Sequence, residues 1–299
     1  MTSRQKPLPY VIFHSPCLDG FAAAYCAWRH FGDKARYVPL AHTDAIPEFR
    51  DGADIYLLDI CLPRPLLLNL AKQHDIVILD HHVSSKDALA GIMDEAPRIT
   101  SLFDMDRSGA RLAWHYFNGG PAPDLILNIE DRDLWKNERP TSRATHLALE
   151  SIEQDFEVWH GYITETLSYK RLITEGQALE RHQEMLVGHL LKEVRAAVFE
   201  VNNSALVVPT INAPFFMASD VGHALLEKYP DAPFAAVYRD TGAGRRDWSL
   251  RSADNRFDVS KVAALHGGGG HRNAAGFSEP RVGARIAFVI QSYDKREKD

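Results

Sequence analysis

The stretch that decides the fold is DIVILDHH, at residues 75 to 82. Its four central residues are apolar and mostly β-branched, as in a buried strand. A continuous apolar run of this length, with no alternation of polar residues, is typical of a parallel strand that is covered on both faces. The run ends in three polar side chains, Asp80, His81 and His82. The strand is therefore predicted to place functional side chains at its carboxyl end.

Two similar runs lie upstream, YVIFH at 10 to 14 and DIYLLDI at 54 to 60, with the helical pattern GFAAAYCAWRHF between them. Apolar strands separated by helices indicate βαβ units and therefore an α/β fold with a parallel sheet. These runs contain His14 and Asp59 at their ends. Because ligands of open α/β sheets bind at the carboxyl ends of the strands, we expect these side chains to converge with the Asp-His-His triplet.

The second half of the chain predicts a connector followed by a smaller domain. Residues 156–195 have the apolar spacing of helices and almost no glycine. Beyond them, the strand-like runs AVFEV, ALVVP, FAAVYRD and WSLRS accompany the helical run HALLEKY. We therefore predict a metal-binding catalytic domain at 1–155, a helical connector at 156–195 and a C-terminal α/β substrate-binding domain at 196–299.

Composition narrows the class of protein. The 299 residues are 45% apolar and 25% charged, as in ordinary globular proteins, and their net charge of -6 argues against binding to long duplex nucleic acid, which needs clustered Lys and Arg. The three cysteines form no CxxC pair and the first residues contain no apolar signal region, which predicts a reduced, cytoplasmic protein. No apolar run approaches the roughly 20 residues that span a bilayer, so no membrane partner is expected.

The polar residues at the strand ends have an ordinary explanation when each is taken alone, since a single His or Asp is more often a hydrogen-bonded structural residue or a helix cap. Their joint occurrence changes this interpretation. Several buried carboxylates would repel one another unless a cation neutralised them. Mixed Asp and His ligands suit Mn, Mg, Fe or Zn, so the pattern predicts a metal centre.

Three motifs carry a resemblance to a known family: HSPCLDGFAAA at 14 to 24, DHH at 80 to 82 and GGGGHRNAAGF at 267 to 277. In this order, and spread over nearly the whole chain, they resemble the DHH phosphoesterase family with its associated C-terminal substrate-binding domain. The resemblance implies a two-metal site, expected to hold Mn, and hydrolysis by metal-activated water.

The resemblance also implies roles for individual residues. Asp59 would bridge the two metals, and Asp133 is the alternative to Asp131 as the last ligand. Asp80 and His82 match the other triplet positions and are predicted to be catalytic, facing the substrate or orienting His81. The complete set of implied metal ligands is His14, Cys17, Asp19, Asp59, His81 and Asp131.

The chain departs from the family at Cys17. Family members commonly carry Asp-x-Asp where this sequence has Cys17-Leu18-Asp19. The thiol is either a small buried filler, a thiolate ligand for a softer metal, or the sign of a weak or vacant metal position. Metal identity and occupancy therefore stay open.

The glycine run at 267–270 has two interpretations, a flexible loop or a backbone nest that binds a phosphate. The neighbouring His271 and Arg272 favour the nest. The resemblance adds that this segment and Arg251 hold the terminal phosphate or nucleotide of the substrate. The implied substrate-binding residues are Arg251, Gly268, Gly269, Gly270 and His271.

These observations predict a metal-dependent phosphohydrolase of the phosphodiesterase or exonuclease type, acting on short oligonucleotides or dinucleotides. One alternative is a hydrolase of pyrophosphate or polyphosphate, which would use the same kind of two-metal site. Another is a nucleotide-binding sensor that has lost turnover, with Cys17 as the lesion. The expected partner is a small phosphorylated molecule or a short oligonucleotide, and self-association into a homo-oligomer is left open.

Overall fold

A computed structural model describes residues 7–41, 44–201, 204–281 and 286–293. The chain divides into two compact units, Met1–Glu180 and Arg181–Asp299. The predicted α/β organisation with a parallel sheet and a second sheet is confirmed. The finer three-part division drawn from the sequence stays a prediction.

The first unit contains a five-stranded sheet in which every pair of neighbouring strands is parallel. Its strands are β1 (Tyr10–His14), β2 (Arg36–Leu40), β3 (Asp54–Leu58), β4 (Asp75–Asp80) and β5 (Ile99–Phe103). Their order is β2-β1-β3-β4-β5. The three runs recognised in the sequence form the three central strands.

Both faces of this sheet are buried, which explains the continuous apolar runs. Successive residues of β1 point to opposite faces. Val11 and Phe13 pack in the core cluster that contains Tyr25 and Trp159, whereas Ile12 packs in a second cluster on the other face. The sheet is therefore fixed between two apolar layers, and its carboxyl edge is held in place by both.

Helices supply these two layers. Their bounds in the first unit are α1 (Leu18–Phe31), α2 (Arg64–Leu70), α3 (Val83–Ala88), α4 (Ile92–Glu95), α5 (Gly109–Phe117), α6 (Asp124–Asp133), α7 (Ser142–Glu150), α8 (Phe156–Thr164) and α9 (Thr166–Leu190), the last of which continues into the second unit. Ser108 caps α5, because its hydroxyl accepts a hydrogen bond from the backbone N–H of Arg111.

The second unit is built on a seven-stranded sheet. Its strands are β6 (Arg195–Val201), β7 (Ser204–Asn212), β8 (Ala235–Asp240), β9 (Arg245–Arg251), β10 (Gly269–Gly270), β11 (Ala274–Pro280) and β12 (Ala287–Ser292). The order is β10-β11-β9-β8-β7-β6-β12, and the pairs are antiparallel except for β7 with β8. A 3-10 turn at Phe215–Met217 and α10 (Ala218–Lys228) connect this parallel pair, and α11 (Val259–Leu265) follows β9.

No helix in the described part of the chain combines the length and the apolar character that a membrane crossing needs.

Close packing of α9 against α7 depends on Gly176. A Cβ atom at this position would lie 1.9 Å from the carbonyl oxygen of Ala144, whereas a Cβ at Gly161 of α8 would meet open space. We expect Gly176→Ala to lower the free energy of unfolding by about 1–3 kcal/mol, because the two helices must separate. Gly161→Ala is the matched control and should raise it by about 0.5–1 kcal/mol. Urea unfolding of the three proteins measures both effects, and equal stability of Gly176→Ala and wild type would contradict the packing argument.

Candidate metal centre

Polar side chains from three strand ends, the start of α1 and the end of α6 come together in the first unit. Each of three groups has nitrogen, sulfur or carboxylate oxygen atoms within 4.8 Å of one another. The groups are His14, Cys17 and Asp59; Asp19, His81 and Asp133; and Asp59, Asp80, His81 and His82. The predicted convergence at the carboxyl edge is thus present for most of the predicted residues.

Asp59 lies at the centre of this cluster. One carboxylate oxygen is 3.3 Å from His14 Nδ1 and the other is 3.2 Å from His81 Nε2. Its backbone has φ +58°, a left-handed conformation that Asp and Asn tolerate better than most residues. Burial by itself would raise the pKa of Asp59, but the hydrogen bonds from His14 and His81 outweigh it and hold the pKa well below its usual range. Asp59 therefore stays ionised and faces two groups of ligand atoms at once.

His81 lies among three carboxylates. Its Nε2 is 3.5 Å from Asp133 Oδ2 and 4.0 Å from Asp19 Oδ2, in addition to its contact with Asp59. Burial would lower the pKa of His81, yet the hydrogen bond to Asp59 and the charges of Asp133 and Asp19 raise it to about 10. The surrounding carboxylates thus strongly favour positive charge at this position.

Asp19 provides a test of whether the cluster fits a cation. Its side chain is 1% exposed, and Oδ1 accepts a hydrogen bond from the backbone N–H of Ala110. Within the described part of the chain, Oδ2 has no hydrogen-bond partner. Burial and the charges of Asp133 and Asp59 raise the pKa of Asp19 well above its usual value. A buried carboxylate oxygen without a donor, beside other carboxylates, fits a divalent cation.

The carboxylate of Asp80 accepts hydrogen bonds from neighbouring groups of the protein. Its Oδ1 accepts hydrogen bonds from the backbone N–H groups of His81 and His82 and, at 2.6 Å, from Nδ1 of His82. The thiol of Cys61 donates to Oδ2 over 3.2 Å. Burial would raise the pKa of Asp80, but the contact with His82 keeps it below its ordinary value. Both oxygens are engaged by the protein, so Asp80 orients the two histidines.

The structure separates Asp131 from Asp133. Asp131 Oδ1 accepts hydrogen bonds from the backbone N–H groups of Glu138 and Arg139, at 2.8 and 3.2 Å, and so holds the loop after α6. Among the described residues, Asp131 belongs to none of the three groups, whereas Asp133 belongs to one. Each residue of an α-helix is rotated by about 100° from the one before it, so the side chains of Asp131 and Asp133 lie on nearly opposite sides of the helix. Asp131 as a ligand stays a prediction, and the geometry favours the alternative, Asp133.

Cys17 lies at the N-cap position of α1 without capping it by a side-chain hydrogen bond. The residue is partly exposed and its sulfur is grouped with His14 and Asp59. Burial, followed by the charges of Asp59, Asp133 and Asp19, raises the pKa of Cys17, which favours the neutral thiol. Its sulfur lies where it can reach a cation shared with His14, and the choice between ligand and filler stays a prediction.

Two glycines permit the close approach of helices to the cluster. A Cβ at Gly20 would lie 2.2 Å from the carbonyl oxygen of His14, and a Cβ at Gly109 would lie 2.6 Å from Asp59 Cβ and 2.9 Å from Asp19 Oδ2. The role of Gly109 was not predicted from the sequence, because it depends on contacts with Asp59 and Asp19, which are distant in sequence.

Arg251, predicted to bind substrate, belongs to the second unit. Its guanidinium donates hydrogen bonds to the hydroxyl of Ser219 (2.8 Å) and to the carbonyl oxygen of Leu250 (2.9 Å). Both acceptors are neutral, and no carboxylate of the described residues forms an ion pair with it. Burial lowers the pKa of Arg251 to about 10. A partly buried cation in neutral surroundings is a suitable site for an anion.

The glycine segment lies at the same end of this sheet. Ala274 is the register partner of Arg251, and its carbonyl oxygen accepts a hydrogen bond from the backbone N–H of His271 at 2.7 Å. A Cβ at Gly268 would lie 2.1 Å from a backbone oxygen, and Gly270, with φ +139°, is similarly crowded. These glycines are therefore required for the chain to pack against β11. Gly269 and His271 are exposed, and anion binding by the segment stays a prediction.

The fold and the cluster define an α/β protein with an Asp, His and Cys site, suited to a divalent metal, at the carboxyl edge of a parallel sheet. The chain belongs to the same family as an uncharacterized protein of Acanthamoeba polyphaga mimivirus. The two are 30% identical over 300 residues, which cover 93% of this chain and 69% of the viral protein. No family model matches the chain.

Solved structures give only distant similarities. An uncharacterized protein from Helicobacter pylori is 15% identical with a TM-score of 0.41, covering 96% of each chain. A pGpG-specific phosphodiesterase from Vibrio cholerae is 11% identical with a TM-score of 0.41, covering 97% of this chain and 96% of that one. An exopolyphosphatase-related protein from Bacteroides fragilis is 16% identical with a TM-score of 0.43, covering 99% and 90%.

Gly109 offers a test of the close approach of α5 to the cluster. We expect Gly109→Ala to weaken Mn binding more than tenfold, because the methyl group displaces Asp59 or Asp19, and displacing even a residue that supports a ligand costs 10–100-fold. Titration calorimetry with MnCl₂ measures the change, with Gly161→Ala as the control. Wild-type affinity in a folded Gly109→Ala protein would show that the cluster does not depend on this contact.

Asp131 and Asp133 are distinguished by a pair of isosteric variants. Asp133→Asn should lower Mn affinity at least tenfold, since it removes a charged oxygen beside His81. Asp131→Asn should leave the affinity unchanged, because an Asn oxygen can still accept the two hydrogen bonds of the loop. Titration calorimetry with MnCl₂ measures the Mn affinity of both variants. A loss of affinity in Asp131→Asn but not in Asp133→Asn would establish Asp131 as the ligand.

Proposed function

We propose that this chain is a metal-dependent phosphoesterase of the DHH type that hydrolyses short oligonucleotides or dinucleotides. The observation that carries the proposal is the position of Asp59, whose two oxygens face different groups of ligand atoms, one through His14 and the other through His81. A carboxylate shared in this way suits two cations side by side. The three motifs of the sequence support the same assignment.

The two donor sets differ in chemistry. His14, Cys17 and Asp59 would hold one cation, and Asp19, His81 and Asp133 would hold the other, with Asp59 shared between them. Nitrogen and oxygen donors suit Mn, and the sulfur of Cys17 adds a softer donor to the first position. Divalent cations held there supply Lewis acidity, which polarises a phosphoryl oxygen and lowers the pKa of a bound water.

The chain itself orients the groups that would meet the substrate. An ionised carboxylate only accepts hydrogen bonds, so Nδ1 of His82 donates to Asp80. The other ring nitrogen, Nε2, then points away from Asp80. We assign it the task of contacting a phosphoryl oxygen of the substrate, while Asp80 fixes the orientation of the ring.

Residues of the second unit support a substrate that carries an anionic group. Arg251 is a partly buried cation with neutral partners, and an anionic group of the substrate would supply its missing counter-charge. His271 flanks the same register position and is assigned to the same end of the substrate. The net charge of -6 favours short substrates over long nucleic acids.

Asp59→Asn tests the proposal. Asn tolerates the left-handed backbone at this position, so the fold should be kept while the shared negative charge is lost. Loss of a supporting residue of a metal site costs 10–100-fold, so loss of the shared carboxylate should reduce kcat/KM by about a hundredfold or more. The measurement is product release from a panel containing a dinucleotide, a short oligonucleotide, pyrophosphate and polyphosphate, each with Mn, Mg, Co and Fe.

Two outcomes of that panel would contradict the proposal. Hydrolysis of pyrophosphate or polyphosphate without hydrolysis of nucleotides would replace the substrate class. Binding of nucleotides without product formation under any metal would favour the sensor. Circular dichroism of the Asp59→Asn protein provides the folding control.

A further inference from the structure

Two adjacent phenylalanines stand out on the surface of the second unit. Phe215 and Phe216 are 64% and 72% exposed, although aromatic side chains of this size are usually covered. They lie in the 3-10 turn between β7 and α10, and the next residue, Met217, is buried at 4% exposure. The turn is therefore anchored in the core while its two rings face outward.

This aromatic pair is close in sequence to a residue that contacts Arg251. Ser219, three residues beyond Phe216, accepts the hydrogen bond from Arg251 Nη2. A Cβ at Gly222 would lie 2.5 Å from Arg251 Cγ, which shows that the Arg251 side chain runs directly along α10. The guanidinium thus reaches the first turn of the helix that the two rings precede.

A second arginine lies near one of the rings. The guanidinium carbon of Arg239 is 5.2 Å from the centroid of the Phe215 ring, and its charge is balanced by Asp247 at 3.0 Å. This cation–π contact restrains the ring. Arg239 is neutralised by its partner, whereas Arg251 has no carboxylate partner among the described residues and is available to an anion.

We propose that Phe215 and Phe216 stack on a nucleobase while Arg251 binds the phosphate of the same nucleotide. This inference rests on the proposed function and names its substrate class, since a polyphosphate would engage the arginine but has no planar group for the rings. Aromatic rings stack on any base, so the site would accept nucleotides without strong sequence preference. An exposed apolar pair alone would not identify its occupant. The adjacent cation in neutral surroundings supplies the charge complementarity that points to a nucleotide.

The experiment compares three substrates and three variants in the full-length protein. The substrates are a 5′-phosphorylated dinucleotide and two derivatives of it, each of which lacks one of the two bases. The variants are the double substitution Phe215→Ala with Phe216→Ala, the single substitution Arg251→Ala, and Leu265→Ala. Leu265 is 51% exposed in the same unit and serves as the matched surface control.

We expect the double Phe variant to raise KM for the dinucleotide by about fivefold to a hundredfold and to leave KM for the compound that lacks the stacked base unchanged. Arg251→Ala should raise KM for all three compounds, and Leu265→Ala should raise it for none. Each derivative lacks a different base. For the derivative that lacks the stacked base, wild type and the double Phe variant should have the same KM. Equal losses on all compounds, or no loss on the dinucleotide, would overturn the inference.

Light scattering and equilibrium binding complete the test. A change of oligomeric state in the double Phe variant would overturn the inference, because the pair would then be an interface between copies of the chain. If wild type hydrolyses no phosphoester, the proposed function fails, yet binding of a fluorescent nucleoside monophosphate still tests the aromatic pair. Weaker binding by the double Phe variant would support stacking, and equal binding would refute it.

Discussion

Negative charge buried at the carboxyl edge of the parallel sheet is the constraint on which the first unit depends. Asp19, Asp59 and Asp80 are each at most 2% exposed. Carboxylates so placed repel one another and lose their hydration, which would destabilise the fold unless each is compensated. Asp80 is compensated by histidine, cysteine and backbone donors, and Asp59 by two histidines. Among the described residues, no hydrogen-bond donor reaches the second carboxylate oxygen of Asp19, so the edge fits cations best.

This constraint also explains the local backbone. The left-handed conformation of Asp59 and the absence of side chains at Gly20 and Gly109 bring α1 and α5 close to the strand ends. Each feature has a cost, either in backbone strain or in conformational entropy. These costs are concentrated around the charged cluster, as expected where geometry is held for binding and not for stability.

The second unit presents the opposite electrostatic situation. Arg251 carries positive charge among neutral oxygens, with a pKa lowered by burial, whereas Arg239 and Arg246 of the same sheet are paired with carboxylates. The exposed Phe215 and Phe216 precede the helix that this arginine touches. A phosphate has the negative charge that would balance Arg251, and a base has the planar face on which such rings stack, so the proposed nucleotide site satisfies both groups.

The sequence by itself determined the central strands, the helix α1 and the type of chemistry, because buried parallel strands and clustered Asp and His leave strong patterns. It did not reveal β2 and β5, since edge strands are partly exposed and carry mixed sequences. Nor did it decide between Asp131 and Asp133, two residues apart on one helix. Only the tertiary structure brings Asp133 to His81 and Asp131 to the loop at Glu138, because the direction of a helical side chain depends on how the helix packs. The roles of Gly109 and Cys61 likewise arise from contacts between residues distant in sequence, which no local pattern records.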